Sequence, residues 1–297
     1  MLARQLVDAG ARVAIWARTA DDVEAAAAEL RDRRKNATVL GLTCDVRDRD
    51  QIETAAETVR ETWGRIDVLF NVAGIMEVGP LDAMTPADFH EAMDINCWGA
   101  LNTVMTVLPV MRRQAWGRIV NVASIGGKRA VPHMLPYDVS KFALVGLSTG
   151  LRTELAKDGI VVSTVCPSLM RTGSPRNALF KGQNRAEYAW FSIGGSLPLI
   201  SISAEQAASQ ILRACQYGDA EVYVCNTLNL PVIATQLIPS LTTEVLSLVN
   251  RLLPPMGGIG QRAAWGYESQ SAFSPSVLTA LGDQAAARNN QLRPRPE

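Results

Sequence analysis

Short runs rich in Val, Ile and Leu alternate with longer stretches of helical periodicity along this sequence, and few architectures accept that alternation. The runs fall at residues 12–17, 38–44, 66–70, 118–123 and 160–166, with a last one at 222–225. Helices are expected between them, at about 20–34, 48–63, 85–113 and 137–157. Gly64 and Asp158-Gly159 stand where helix C-termini favour a residue tolerant of left-handed backbone. Thr85-Pro86 supplies an N-cap and a first-turn proline, and Pro167 closes the fifth run. Connections long enough to hold a helix let consecutive strands run parallel. The pattern therefore predicts an α/β fold, a doubly wound parallel sheet with helices on both faces. It fills residues 1–225. Residues 226–297 form a less regular, apolar C-terminal extension whose last ten residues, 288–297, are expected to fray.

Composition narrows the partners. Lys+Arg 29 balance Asp+Glu 29 in 297 residues, and the basic residues are scattered among acidic ones, so the chain has no footprint for a phosphate backbone and no nucleic-acid partner is expected. Five widely spaced cysteines (Cys44, Cys97, Cys166, Cys215, Cys225) sit mostly in apolar runs, where a free thiol packs as a small hydrophobe. That usage fits a reducing, cytoplasmic setting. With only His90 and His133, histidine-rich zinc sites cannot be built, and no metal is expected. Asp8 and Gly10 interrupt the first residues before an apolar core of signal-peptide length can form. The longest uncharged stretch, residues 222–243, approaches the length of a membrane span. It contains Asn226, Asn229, Pro231, Gln236 and Pro239, so a buried or membrane-surface segment is expected instead of a spanning helix.

The strongest chemical constellation is Tyr137-Asp-Val-Ser-Lys141, with Ser124 upstream at the end of a strand. Positions i and i+4 share a helix face, which puts the Tyr137 hydroxyl and the Lys141 ammonium side by side. A phenol is a poor acid–base catalyst at neutral pH, and a neighbouring cation favours its ionised form. The pair is thus expected to act as a general acid/base, with Ser124 donating to the substrate oxygen whose charge changes. Two other patterns are weaker. Gly146-Leu-Ser148-Thr-Gly150 matches the serine-hydrolase elbow, which needs a strand-to-helix turn, yet here it falls inside a helix and both histidines precede Ser148. Gly257-Gly-Ile-Gly260 follows no strand of a βαβ unit and reads as a loop.

These residues resemble the short-chain dehydrogenase/reductase family over about residues 1–225. Ser124, Tyr137 and Lys141 look like its catalytic Ser, Tyr and Lys, and Asn96 in Asp94-Ile-Asn-Cys-Trp-Gly99 looks like the helix Asn that completes its tetrad. Asn71-Val72-Ala73-Gly74 is similar to its Asn-Asn-Ala-Gly turn, with Val72 in place of the second Asn. Asp45-Val46 matches its adenine-contacting Asp-Val, and Pro167-Ser-Leu-Met-Arg-Thr172 resembles its Pro-Gly-x-x-x-Thr, with Ser168 for Gly. The resemblance implies a Rossmann-type fold, a nicotinamide cofactor and hydride exchange with a carbonyl or alcohol carbon. Tyr137 would protonate the developing alkoxide. Lys141 would depress the Tyr137 pKa and hold the nicotinamide ribose, Asn96 would position a water, and Thr172 would hold the carboxamide. The cofactor contacts would come from Arg18, Asp45, Val46, Asn71, Ala73, Gly74, Tyr137, Lys141, Pro167 and Thr172. Arg18 stands where an acidic residue would select NAD, so NADP is expected, with NAD the alternative.

The family opens with a strand and a glycine-rich turn that receives the pyrophosphate. Residues 2–10 resemble the later part of the helix that follows, so the natural protein is expected to start upstream of Met1. That opening strand is central in the family's sheet, and without it the runs at 12–17 and 66–70 are expected to lack a shared neighbour. If the chain as it stands is authentic, the alternative is a non-catalytic relic serving as a binding or regulatory partner. After Thr172, Leu179, Phe180, Tyr188, Trp190, Phe191, Ile193 and Leu197 suggest either an apolar lining for a lipid, steroid or retinoid-like substrate, or core packing, with Gly194-Gly195 a candidate hinge. Leu241, Val245, Leu248 and Leu252 repeat at helical spacing and could cover the substrate mouth, join subunits or contact a membrane surface. Family resemblance implies a homodimer or homotetramer.

Overall fold

The computed structural model describes residues 1–198, 200–225 and 237–292. Each expected run becomes a strand to within two residues: β1 (Val13–Ala17), β2 (Val39–Thr43), β3 (Val68–Asn71), β5 (Gly117–Val122), β6 (Ile160–Pro167) and β10 (Glu221–Val224). Two-residue strands complete the numbering: β4 (Glu77–Val78), β7 (Met170–Arg171), β8 (Leu179–Phe180), β9 (Ile202–Ser203) and β11 (Ala264–Trp265). The helices are α1 (Leu2–Asp8), α2 (Ala20–Asp32), α3 (Arg49–Trp63), α4 (Pro86–Met93), α5 (Gly99–Gln114), α6 (Leu135–Leu155), α7 (Asn184–Ser196), α8 (Ala204–Tyr217), α9 (Pro239–Asn250) and α10 (Ala280–Arg288).

Local chemistry sets these limits. Asp48 accepts from the amides of Asp50 and Gln51 to start α3, and Gly64 ends it at φ +76°. Thr85 and Asp88 form a capping box at α4, with Pro86 in the first turn. The single helix expected over 85–113 is divided into α4, a wider π-turn at Asp94–Trp98, and α5. Such turns insert one residue and re-aim the side chains around it.

All the principal strands pair in parallel, so the fold is Rossmann-like α/β with a parallel sheet. One group has the order β10-β6-β5-β3, with Val68 opposite Arg118, Gly117 opposite Ile160 and Glu221 opposite Thr164. The other is β1-β2, with Val13 opposite Val39. β1 and β3 are not hydrogen-bonded to each other, and their open edges are those that flank the central strand of the family's sheet. Helices α3, α5 and α6 cover one face, α1, α2 and α8 the other. Ala14, Trp16, Leu40 and Leu42 from the β1-β2 group and Leu69 from β3 pack against one core of Val59, Val104, Leu108, Met111, Ile119 and Val162, so a single apolar layer spans both groups.

The C-terminal segment is more regular than its sequence suggests. α10 buries Ala285 and Ala286, and Gln291 accepts from the Gly173 amide at 2.7 Å. Asn290 donates to Glu29 at 2.6 Å. The expected fraying therefore fails for 288–292, because these polar side chains satisfy backbone and carboxylate partners on the body, while residues 293–297 lie outside the described residues. Gly194 and Gly195 lie within α7, whose backbone ladder continues through them, so they form no hinge. Residues 226–236 of the uncharged stretch lie outside the described residues; among those described, no helix is long and apolar enough to cross a membrane.

Candidate active site

Three elements converge at the carboxyl ends of the central strands. β5 delivers Ser124, whose extended backbone (φ −172°) opens the turn Ile125–Gly127 and whose hydroxyl accepts from the Gly126 amide at 3.0 Å. Helix α6 begins with Pro136 in its first turn and carries Tyr137 and Lys141 one turn apart. Lys141 is buried; its ammonium donates to the Val122 carbonyl at 3.0 Å and lies 5.7 Å from the centre of the Tyr137 ring. The π-turn brings in Asn96, which accepts from the Ile75 amide at 2.9 Å and donates to the Ile75 carbonyl at 3.1 Å and to Ser140 at 2.8 Å. Ser140 in turn donates to the Tyr137 carbonyl at 2.7 Å. A Cβ on Gly74 would lie 2.8 Å from Asn96 Oδ1 and 3.6 Å from Lys141 Nζ, so the Asn71–Gly74 turn passes directly over both groups.

Electrostatics corrects one expectation. Burial pushes the Tyr137 phenol up to about 12; a hydrogen bond with Ser124 works against the rise, and the Asp138 carboxyl adds to it. Burial likewise pushes Lys141 down to about 8. In the chain by itself, desolvation thus outweighs any cationic activation of the phenol, because the ammonium is itself stripped of water and turned to a carbonyl.

The remaining candidates divide between open and engaged positions. Val72, Ala73 and Gly74 are exposed, whereas Asn71 accepts from Thr103 at 2.6 Å and donates to Asn121 at 2.9 Å. Asn121 donates to Ser148 at 3.0 Å, and Thr164 donates to the same hydroxyl at 2.7 Å. Ser148 is therefore a buried link in a network that ties the turn to α6 and β6, not a hydrolase nucleophile. At the other end, Asp45 binds Arg47 at 2.6 Å, which holds its carboxyl below the usual range, and exposed Arg18 contributes in the same direction. Val46 packs against Gly99, where a Cβ would come within 2.8 Å of it. Pro167 ends β6 opposite Val224, and Thr172 donates to Ser174 at 2.8 Å.

Four neighbours escaped the sequence reading. Asp138 is buried beside Tyr137, accepts from the Val131 amide at 2.6 Å, and leaves Oδ1 without a partner. Arg129 directs its charge toward that carboxyl. His133, at φ +65°, bonds Glu187 at 2.8 Å, and Trp190 donates to the same carboxylate at 2.6 Å, which fixes α7 to the loop before Tyr137. A charged residue on an inward helix position was the available signal for Asp138 and Glu187. Of the aromatic segment, Phe180, Tyr188 and Phe191 stack edge-to-face within their own core, and Met76, Val131 and Trp190 join Tyr137 at its partly buried margin.

The sequence profile of the short chain dehydrogenase family matches residues 1–180. The chain is similar to levodione reductase of Leifsonia aquatica, 28% identical over 88% of both chains. It is also similar to a dehydrogenase/reductase SDR family protein 7-like of Anopheles gambiae, 32% identical over 74% of this chain and 69% of that one. Against oxidoreductase UcpA of Salmonella typhimurium the identity is 39% over 51% of this chain. The chain spans 57% of the length of UcpA and 66% of that of a Streptomyces coelicolor relative. Among solved structures, a gluconate 5-dehydrogenase from Burkholderia cenocepacia in complex with NADP and tartrate superposes with a TM-score of 0.64 at 26% identity, over 75% of this chain and 87% of that one. The chain belongs to the short-chain dehydrogenase family.

Proposed function

We propose that this protein is an NAD(P)-dependent oxidoreductase that interconverts a carbonyl and an alcohol on a hydrophobic small molecule. The observation that carries the reading is the convergence of Ser124, Tyr137, Lys141 and Asn96 beneath the exposed Val72–Gly74 turn. The residues present at the nicotinamide and adenosine ends fit a nicotinamide nucleotide. Backbone without a Cβ at Gly74 leaves room above Asn96 and Lys141, and Ala73 and Gly74 face outward beside them. Lys141 and Tyr137 would hold the nicotinamide ribose, Asn71, Pro167 and Thr172 the surrounding backbone and carboxamide, and Asp45, Val46 and Arg18 the adenosine end. When bound, the nucleotide supplies or accepts the hydride.

The protein's own work is proton handling. With its phenol raised to about 12, Tyr137 is protonated at neutral pH and gives its proton to the alkoxide oxygen as the carbonyl carbon is reduced. Ser124 donates a hydrogen bond to that same oxygen. Asn96, tied to Ile75 and Ser140, fixes the turn and α6 in register. Exposed Arg18 favours the 2′-phosphate of NADP, in keeping with the NADP complex of the gluconate dehydrogenase. The apolar margin of Met76, Val131 and Trp190 around Tyr137 supports a hydrophobic substrate.

Assembly as a homodimer or homotetramer is supported by the outward faces of α5 and α6. Met105, Val139 and Phe142 are exposed, as is Trp98 at the end of the π-turn before α5, and Gly146 and Gly150 on the same side of α6 have nothing within 4 Å of a Cβ. The buried free thiols Cys44, Cys97, Cys166 and Cys215 fit a cytoplasmic location. Titration of the purified chain with NADPH and NADH, followed by nucleotide fluorescence, tests the reading. Saturable binding with tighter NADPH affinity is expected; no binding of either nucleotide would overturn it.

A further inference from the structure

Helix α9 turns most of its surface to solvent, with only Thr242 and Leu246 half-buried. None of its residues is buried; Leu241, Val245 and Leu248 on the helix, and Leu252 in the turn that continues it, are 58%, 53%, 60% and 81% exposed. The segment that follows it is held to the body: Gln183 donates to the Pro255 carbonyl at 3.0 Å, and Gly182 exchanges hydrogen bonds with Gly260 and Ile259 at 2.8 and 2.9 Å. A row of exposed aliphatic side chains on an ordered helix marks a contact surface. The spacing of the row is four, three and four residues, the alternation of d and a positions in a heptad. Helices with that seam pack on one another.

The charges select the occupant. A helix that lies on lipid carries several Lys or Arg on its polar face. Here the polar positions are Ser240, Thr243, Ser247 and Asn250, with one acid, Glu244, and one base, Arg251. Among the described residues, neither Glu244 nor Arg251 has an ion-pair partner. Glu244 occupies a g position, and Arg251, the C-cap residue whose backbone keeps helical angles (φ −69°, ψ −17°), extends the register to the next one, one heptad on, beside the seam. If a second α9 runs antiparallel with Val245 level with the partner's Leu248, Leu241 meets the partner's Leu252, and four apolar layers close about a twofold axis. In that arrangement g flanks g, so Glu244 lies next to the partner's Arg251, and the reverse pair forms by symmetry. A parallel pair would set Glu244 against the partner's Val249 and leave both charges unmatched. We propose that α9 is a self-association surface that pairs antiparallel with α9 of a second copy of this chain.

The test uses the full chain, with the α5 and α6 faces unaltered. All positions substituted are exposed, and circular dichroism checks that each variant keeps the wild-type fold. In sedimentation equilibrium, Leu248→Glu is expected to remove one step of association, with a dissociation constant at least about tenfold weaker. Glu244→Arg alone is expected to weaken that step roughly fivefold, and Glu244→Arg combined with Arg251→Glu to restore it. An equimolar mixture of Leu241→Cys and Leu252→Cys chains is expected to oxidise to a covalent dimer that neither variant forms alone. Unchanged mass for Leu248→Glu would overturn the proposal. Self-crosslinking of Leu241→Cys alone would overturn the antiparallel arrangement. Co-sedimentation of wild-type protein with phosphatidylcholine–phosphatidylglycerol vesicles, lost in Leu248→Glu without a change in mass, would replace the second copy by a lipid surface.

Discussion

Asp138 offers a quantitative test of the electrostatics around Tyr137. Its side chain is 1% exposed, one carboxylate oxygen accepts from Val131, and the other has no partner. Burial pushes its pKa up to about 8, against the opposing pull of the Val131 amide and the Arg129 guanidinium. In the unfolded chain an Asp ionises near ~4. Between those values the folded state keeps a proton that the unfolded state has released, so stability falls as pH rises, by about 1.4 kcal/mol per unit. The loss accumulates to about 3 kcal/mol from roughly pH 5 to pH 7, a large part of a typical net stability, and levels off above about 8. Asp138→Asn keeps an acceptor for the Val131 amide and cannot ionise. Urea unfolding of both proteins in pH steps isolates the effect, because Glu77, whose carboxyl burial raises to about 7, titrates in both and cancels in the difference. The variant is expected to gain on the wild type by about 3 kcal/mol across that window and to show no relative change below about pH 4. A pH-independent difference would refute the reasoning.

Other expectations concern single contacts. Arg18→Glu should reverse cofactor preference, weakening NADPH relative to NADH by at least about tenfold in a fluorescence titration. Ser148→Ala removes the hydroxyl shared by Asn121 and Thr164, so chemical denaturation should show a loss of about 1–3 kcal/mol, while ester hydrolysis stays at background before and after. Gly127→Ala would place a Cβ 2.5 Å from the Lys141 carbonyl oxygen, where backbone must give way. A loss of about 1–3 kcal/mol in urea unfolding is expected, with kcat lowered more than KM because the displaced segment carries Lys141.

The parts of the fold legible in the sequence are those whose signal is local. β-branched runs between capped helices placed all six principal strands, and Gly64, Thr85 and Pro86 act through their own turns. Ser124, Tyr137 and Lys141 were legible because the helical repeat and the strand end fix them within one unit. Long-range demands were not. The division of the 85–113 helix follows from Asn96 bonding Ile75 across 21 residues, which no local propensity reports. Helix α7 was obscured because its aromatic residues fitted a substrate lining as well as core packing and its glycines a hinge, whereas Tyr188 and Phe191 are anchored by Phe180. The docking of residues 289–292 depends on Gly173 and Glu29, more than a hundred residues away. The raised Tyr137 pKa likewise depends on tertiary burial and on Asp138, which periodicity leaves unweighted.

The central claim is that Tyr137 supplies the proton in nicotinamide-linked carbonyl reduction. The most direct measurement is NADPH consumption with a panel of hydrophobic ketones by the wild-type chain and by Tyr137→Phe, with nucleotide binding measured on both. The account predicts measurable turnover by the wild type, a loss of at least about a hundredfold in the variant, and NADPH binding that persists with a loss of no more than about tenfold for the missing ribose contact. Turnover that survives Tyr137→Phe unchanged would contradict it.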